Sequence, residues 1–255
     1  MRGLCRRALG REVFPFDRKS LDADHNRGLV ESFLVTSVAR RLHDAALTVR
    51  PDAIYLPNGV DEEHFLASEA LPEDDPEMAE FLTRKKPLIG YYGALAEWFD
   101  YGLVERVAAM RPDWNFLLIG PDYDDSMRER GQDLLALPNV SWIGPRSYDT
   151  LPAYLNLFDV GMIPFVINEI TLATSPLKLY EYFAGGKPVI TTRMPECEAH
   201  SIVQIVNDAE EFAQALDVAL ERGKDPGYRA RARQLGVDNS WRSRARTVAE
   251  ILENG

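Results

Sequence analysis

Apolar residues fall into short continuous runs, separated by longer stretches in which they recur every three or four positions. The runs at Pro87–Gly93, Trp114–Ile119, Val140–Ile143, Val160–Phe165, Pro188–Thr192 and Ile202–Val206 read as strands. Between and after them, residues 101–110, 127–135, 148–157, 176–184, 208–222 and 240–253 read as helices. Strands that are apolar almost throughout are covered on both faces. Their alternation with helices of about a dozen residues implies a parallel sheet with right-handed crossovers, so the expected class is α/β.

Before residue 87 the pattern is weaker. Residues 1 to about 27 are basic and then mixed, and they predict no definite element. Leu29, Phe33, Val38, Leu42 and Leu47 predict helix, with room for a short strand at Phe33–Thr36. Ala53–Leu56 reads as a strand stopped by the turn signal Pro57-Asn58-Gly59, and a helical turn follows through Phe65. Residues 68–77 are rich in Glu, Asp and Pro, including Glu73-Asp74-Asp75, and read as an exposed linker. The expected organisation is a partial N-terminal segment (1–60), a linker (61–86), the sheet domain (87–240) and a closing helix (241–255).

Composition narrows the function. A net charge of −11 argues against broad nucleic-acid binding, which needs basic surface. Cys5 and Cys197 form no framework, and His25, His43, His64 and His200 show no metal-ligand spacing. No apolar run is long enough to span a bilayer, and Met1–Arg11 lacks the apolar stretch of a secretory signal. The simplest setting is a reducing cytoplasm.

Chemistry concentrates at Thr174-Ser175-Pro176-Leu177-Lys178-Leu179-Tyr180-Glu181 and the Gly185-Gly186-Lys187-Pro188-Val189 that follows. Ser175 is a good helix N-cap and Pro176 suits the first helical position. The N–H groups of Leu177 and Lys178 then lack intrahelical partners and, with the helix dipole, favour an anion such as phosphate. Lys178 opposes that dipole, so helix stability does not account for it. Glu181 lies about one turn deeper, where a carboxylate suits ribose hydroxyls. Three of the loops after Tyr92, Ile119, Ile143 and Phe165 begin at or beside a glycine, where backbone can approach a ligand; taken alone, each glycine reads more readily as a tight turn only.

Together these stretches resemble the nucleotide-sugar-dependent glycosyltransferases of family 4, also called group 1, over about residues 30–253. Supporting segments are Pro57-Asn58-Gly59-Val60-Asp61 with Phe65, Gly90-Tyr91-Tyr92-Gly93, and Asn139 to Gly144 with Tyr148, Leu151 and Tyr154. The resemblance implies a GT-B fold, in which this chain supplies one Rossmann-like half. It implies that Glu181 binds the donor ribose, that Ser175, Leu177 and Lys178 form the helix start meeting the phosphates, and that Gly93 passes close to the diphosphate. Ile143 and Arg146 fall where the family holds the nucleobase. The implied partners are a nucleotide-sugar donor and a glycan or lipid-linked acceptor, as in cell-envelope polysaccharide synthesis, with retention at the anomeric carbon. No cofactor is expected and no metal ligand set, Asp22-Ala23-Asp24 lying in the unassigned leader. A peripheral contact at the inner membrane face is left open.

Three departures qualify the resemblance. The family often has a glutamate eight residues before Glu181, where this chain has Ala173; Glu169 is the candidate substitute at the catalytic centre, with Asn168 beside it. An Arg and a Lys often follow the first-loop glycine, where this chain has Glu97-Trp98-Phe99-Asp100; Trp98 and Asp100 are therefore donor-side candidates. About 60 residues before the linker are too few for a whole acceptor domain. The expectation is a donor-binding half that needs a second chain or a missing N-terminal domain. A nucleotide-sugar epimerase on the same fold and a non-catalytic binding module are the alternatives.

Overall fold

The computed structural model describes residues 28–66 and 86–254. The leader to residue 27 and most of the expected linker, with its acidic run, lie outside the described residues.

Six parallel strands form the main sheet: β3 (Leu88–Tyr92), β4 (Asn115–Ile119), β5 (Val140–Trp142), β6 (Val160–Ile163), β7 (Val189–Thr192) and β8 (Gln204–Val206). Their order is β5-β4-β3-β6-β7-β8. The first two strands, β1 (Thr36–Ser37) and β2 (Ile54–Tyr55), make a separate parallel pair. Every residue of β3, β4, β6 and β7 is buried, which accounts for their continuous apolar runs. The helices are α1 (Arg40–Leu47), α2 (Glu62–Leu66), α3 (Tyr101–Met110), α4 (Ser126–Arg130), α5 (Gln132–Leu135), α6 (Leu151–Leu157), α7 (Leu177–Ala184), α8 (Pro195–Glu198), α9 (Ala209–Lys224), α10 (Pro226–Asp238) and α11 (Trp241–Asn254). Trp114, Tyr154, Tyr182, Phe158, Phe183 and Phe212 fill the core between sheet and helices.

Several expected boundaries move for local reasons. The expected helix over 29–49 is interrupted by β1, which pairs with β2, leaving α1 as its regular part. The helix expected over 127–135 splits at Gly131, where the chain leaves the helical path between α4 and α5. Residues 148–150 form a 3₁₀ turn before α6, whose first turn holds Pro152. The run Val160–Phe165 stops pairing at Ile163, because Pro164 has no N–H for the ladder.

Helix α10 is absent from the sequence expectation. Only Ala232 and Gly236 among its residues are buried, so it carries no wide apolar stripe. It packs on α7 by backbone approach instead: a Cβ at Gly236 would stand 2.7 Å from Ala184 N and Cα. The turn between α10 and α11 grips the segment after β2. Val60 N–H donates to Asn239 O, Trp241 N–H donates to Val60 O, and Arg244 Nε donates to Pro57 O at 2.9 Å.

Candidate donor-binding site

Strand order reverses at β3, which has β4 on one side and β6 on the other. In an open parallel sheet such a reversal opens a crevice beyond the carboxyl ends of the two strands it separates. The loop after β3 and the loop from β6 to α7 border it. They are laced together: Asp100 N–H donates to Pro164 O, Val166 N–H to Trp98 O, and Phe99 bridges Phe165.

The neighbouring loops lie in a row. Gly93 N–H donates to Ile119 O, and Gly120 N–H donates to Gly144 O, both at 2.8 Å. Gly93 and Gly120 have φ of +133° and +147°, and a Cβ at Gly120 would fall 1.9 Å from Gly93 O. Only glycine permits that approach. The loops after β3, β4 and β5 are thereby held in contact through backbone at Gly93, Gly120 and Gly144.

Helix α7 starts one residue later than expected. Ser175 is not its N-cap: Pro176, with ψ of 116°, holds that position, and Leu177 opens the helix. The Ser175 carbonyl accepts from Asn58 Nδ2 at 2.7 Å, which fixes the segment ahead of the helix. The Ser175 hydroxyl is buried without a hydrogen-bond partner. Leu177 is 43% exposed. Neither its N–H nor that of Lys178 finds an acceptor among the described residues, as first-turn groups of a helix do not.

Lys178 is half-buried, with Nζ 5.0 Å from the centre of the Tyr91 ring and 5.2 Å from that of Phe165. These rings stand at the ends of β3 and β6, and Tyr91 Oη donates to Ala94 O at 2.8 Å. The ammonium is held by ring faces, with no carboxylate bonded to it among the described residues. Desolvation lowers its pKa to about 8, partly offset by Glu181.

Glu181 is 9% exposed. Burial pushes its carboxyl above the usual range, while Lys178, Tyr92 and His64 pull it back. The Tyr92 hydroxyl lies buried in the core beside it and is the source of one of these pulls. Tyr148 completes the surroundings, its phenol pushed up to about 12 by burial and by the charges of Glu181, Asp61 and Asp149. His64 stacks on Tyr148 at 4.7 Å, and its Nε2 lies 3.0 Å from the Tyr148 carbonyl. A carbonyl only accepts, so Nε2 carries the proton. Tyr92, Tyr148 and His64 were not candidates from sequence. Tyr92 and Tyr148 stand in motif stretches, but α2 brings His64 from before the linker, and only the fold makes that neighbour visible.

The other candidates have local partners. Asp100 caps α3, accepting from Leu103 N–H at 2.8 Å. Trp98 packs on Tyr123 with ring centres 5.9 Å apart. Buried Ile143 ends the β5 segment, and its carbonyl accepts from Arg146, which also donates to Tyr154 Oη at 3.1 Å. Glu169 is exposed and ion-paired with Arg41 of α1. Asn168 accepts the Ile170 and Thr171 N–H groups and so shapes its own loop.

The family model of the glycosyl transferases group 1 matches residues 86–222, more than half of the chain. The chain belongs to that family. It is 28% identical over 235 residues to the putative teichuronic acid biosynthesis glycosyltransferase TuaH of Bacillus subtilis (strain 168), across 89% of this chain and 58% of that protein. The chain thus spans little more than half the length of this curated relative. Among solved structures, Anabaena Alr3699/HepE in complex with UDP-glucose superposes with a TM-score of 0.69 at 17% identity, covering 92% of this chain and 70% of that one. A glycosyltransferase from Rickettsia africae ESF-5 superposes at 0.73 and 19% identity, covering 95% and 68%. The Rossmann-like, GT-B-type architecture expected from sequence is the one these neighbours have.

Proposed function

We propose that this chain binds a nucleoside-diphosphate sugar and, within the intact protein, transfers the sugar to a glycan or lipid-linked acceptor with retention. The observation that carries this reading is the constellation at the switch point: unpaired N–H groups and Lys178 at the tip of α7, Gly93 against that lysine, and Glu181 one turn behind. The tip and the lysine neutralise the departing diphosphate, with no resident metal or cofactor required. Glu181 accepts the ribose hydroxyls, and the buried, unpartnered Ser175 hydroxyl is available to a phosphate oxygen. The nucleobase lies at Ile143, and Glu169 faces the transferred sugar once Arg41 releases it. The Anabaena neighbour's UDP-glucose supports such a donor, and the Bacillus relative, named for teichuronic acid biosynthesis, supports a role in making cell-envelope polymers. The acceptor-side half comes from outside the described residues.

Ala173 and the Arg41–Glu169 pair favour a second reading, a module that binds donor without turning it over. Incubation of the chain with labelled nucleotide sugars, alone and with an added acceptor-side domain, separates these readings. Acceptor-dependent release of nucleoside diphosphate with an unchanged anomeric configuration is expected. Binding without release supports the module, and conversion of the sugar nucleotide without acceptor supports an epimerase.

A further inference from the structure

At the opposite end of the sheet, the entries into β6 and β7 and the ends of α6, α7 and α9 surround a cleft of about 290 Å³. Its walls present Lys187, Lys224, Arg229 and Arg233 against one carboxylate, Asp159. In a chain of net charge −11, such a gathering of cations needs a reason.

Part of the reason is structural. Lys187 Nζ donates to Asn156 O at the end of α6 at 2.9 Å, and Lys224 pairs with Glu221 at 2.7 Å. Asp159 accepts the Leu88 N–H at 2.8 Å. Arg229 and Arg233 have no such account. They stand four residues apart and so share a face of α10, and neither guanidinium has a hydrogen bond or ion pair among the described residues. Arg233 lies across Gly186, where a Cβ would sit 3.1 Å from Nε and where φ is +71°. Gly185, Gly186 and Gly223 also line the cleft. Burial, with both arginines adding to it, lowers the Lys187 amine to about 8 despite Asp159.

An excess of like charge raises the free energy of the fold, and a bound anion offsets that cost. Guanidinium forks beside an ammonium match phosphate oxygens. The volume is near the lower end for small-ligand pockets. We infer that this cleft is a second anion site, taking the phosphate group of a small phosphorylated ligand at the end of the sheet remote from the donor crevice.

The test uses inorganic pyrophosphate on the full chain, with lysine acylation read residue by residue by mass spectrometry. Pyrophosphate is expected to slow labelling of Lys187 by about tenfold, as charge-assisted bonds of this kind would. The double variant Arg229→Gln/Arg233→Gln is expected to lose that protection while the Lys178 response stays as in the parent. The Lys178 signal reports the donor crevice separately, so the two sites stand or fall independently. Both arginines are exposed, so the parent melting temperature is expected; if the double variant does not fold, Arg229→Gln alone is read in the same way. Unchanged labelling of Lys187 by pyrophosphate, or protection that survives the variants, overturns the inference. A parallel arm uses phosphatidylglycerol vesicles at matched phosphate. Protection by vesicles and not by pyrophosphate would assign the phosphate to lipid headgroups and overturn the small-ligand assignment.

Discussion

The Lys178 ammonium lies across Gly93 so closely that a Cβ on that glycine would stand 2.9 Å from both Cε and Nζ. The first loop of the sheet and the tip of α7 therefore depend on each other. Gly93 also has φ of +133°, which side chains rarely adopt. Gly93→Ala is expected to cost about 1–3 kcal/mol of stability through backbone strain and to weaken nucleotide binding by displacing Lys178. Denaturant unfolding and calorimetry read the two effects. Parent-like values in both would dissociate the loop from the lysine.

The pH dependence of binding follows from Lys178, whose pKa is lowered to about 8 from 10.5. Phosphate stabilises the ammonium form, so nucleotide affinity is expected to fall as pH rises through about 8, with proton uptake on binding above it. The stability of the unliganded protein moves the other way. Between about 8 and 10.5 the unfolded chain holds a proton on this lysine that the folded chain lacks, so stability gains with rising pH there. Lys178→Met should abolish the trend in affinity and only reduce that in stability, because Lys187, lowered to about 8 as well, contributes with the same sign. Calorimetry in buffers of different ionisation enthalpy, with thermal melts across pH 7–10, checks the signs.

The strand pattern was legible because the strands of the sheet interior are buried on both faces and are apolar along their whole length. The site was legible in part. Lys178 and Glu181 sit in one local motif and Gly93 in a separate, much earlier stretch, and the fold brings Gly93 against Lys178. Ser175 was misplaced because Pro176 takes the N-cap position and Asn58, over a hundred residues earlier, holds the Ser175 carbonyl. Helix α10 escaped because Gly236 and Ala232 pack through the absence of side chain, which a search for apolar periodicity does not register. His64 escaped because its neighbour Tyr148 is distant in sequence.

Gly236 gives a stability prediction independent of the site. Gly236→Val forces side chain against the Ala184 backbone, where even a Cβ would be 2.7 Å away. A loss of about 2–4 kcal/mol is expected from separation of α10 and α7. A shift in the urea midpoint measures it, and a change below about 0.5 kcal/mol would show that the two helices tolerate separation.

The Arg41–Glu169 pair is exposed on both sides, so Arg41→Ala is expected to change stability by less than about 1 kcal/mol. It also frees the one loop acid assigned to the transferred sugar. Faster turnover with an acceptor-side domain supplied would accord with that role. A parent-like rate would leave Glu169 without one.

The central claim is that α7 grips the donor through its tip and through Glu181. Calorimetric titration with a panel of nucleoside diphosphates, on the parent, Lys178→Ala and Glu181→Ala, tests it most directly. One nucleotide is expected to bind with a Kd in the range of about 1–100 μM. Each variant is expected to weaken it by about 1–3 kcal/mol through lost charged hydrogen bonds. Equal affinity in the parent and both variants would place the nucleotide elsewhere and contradict the account.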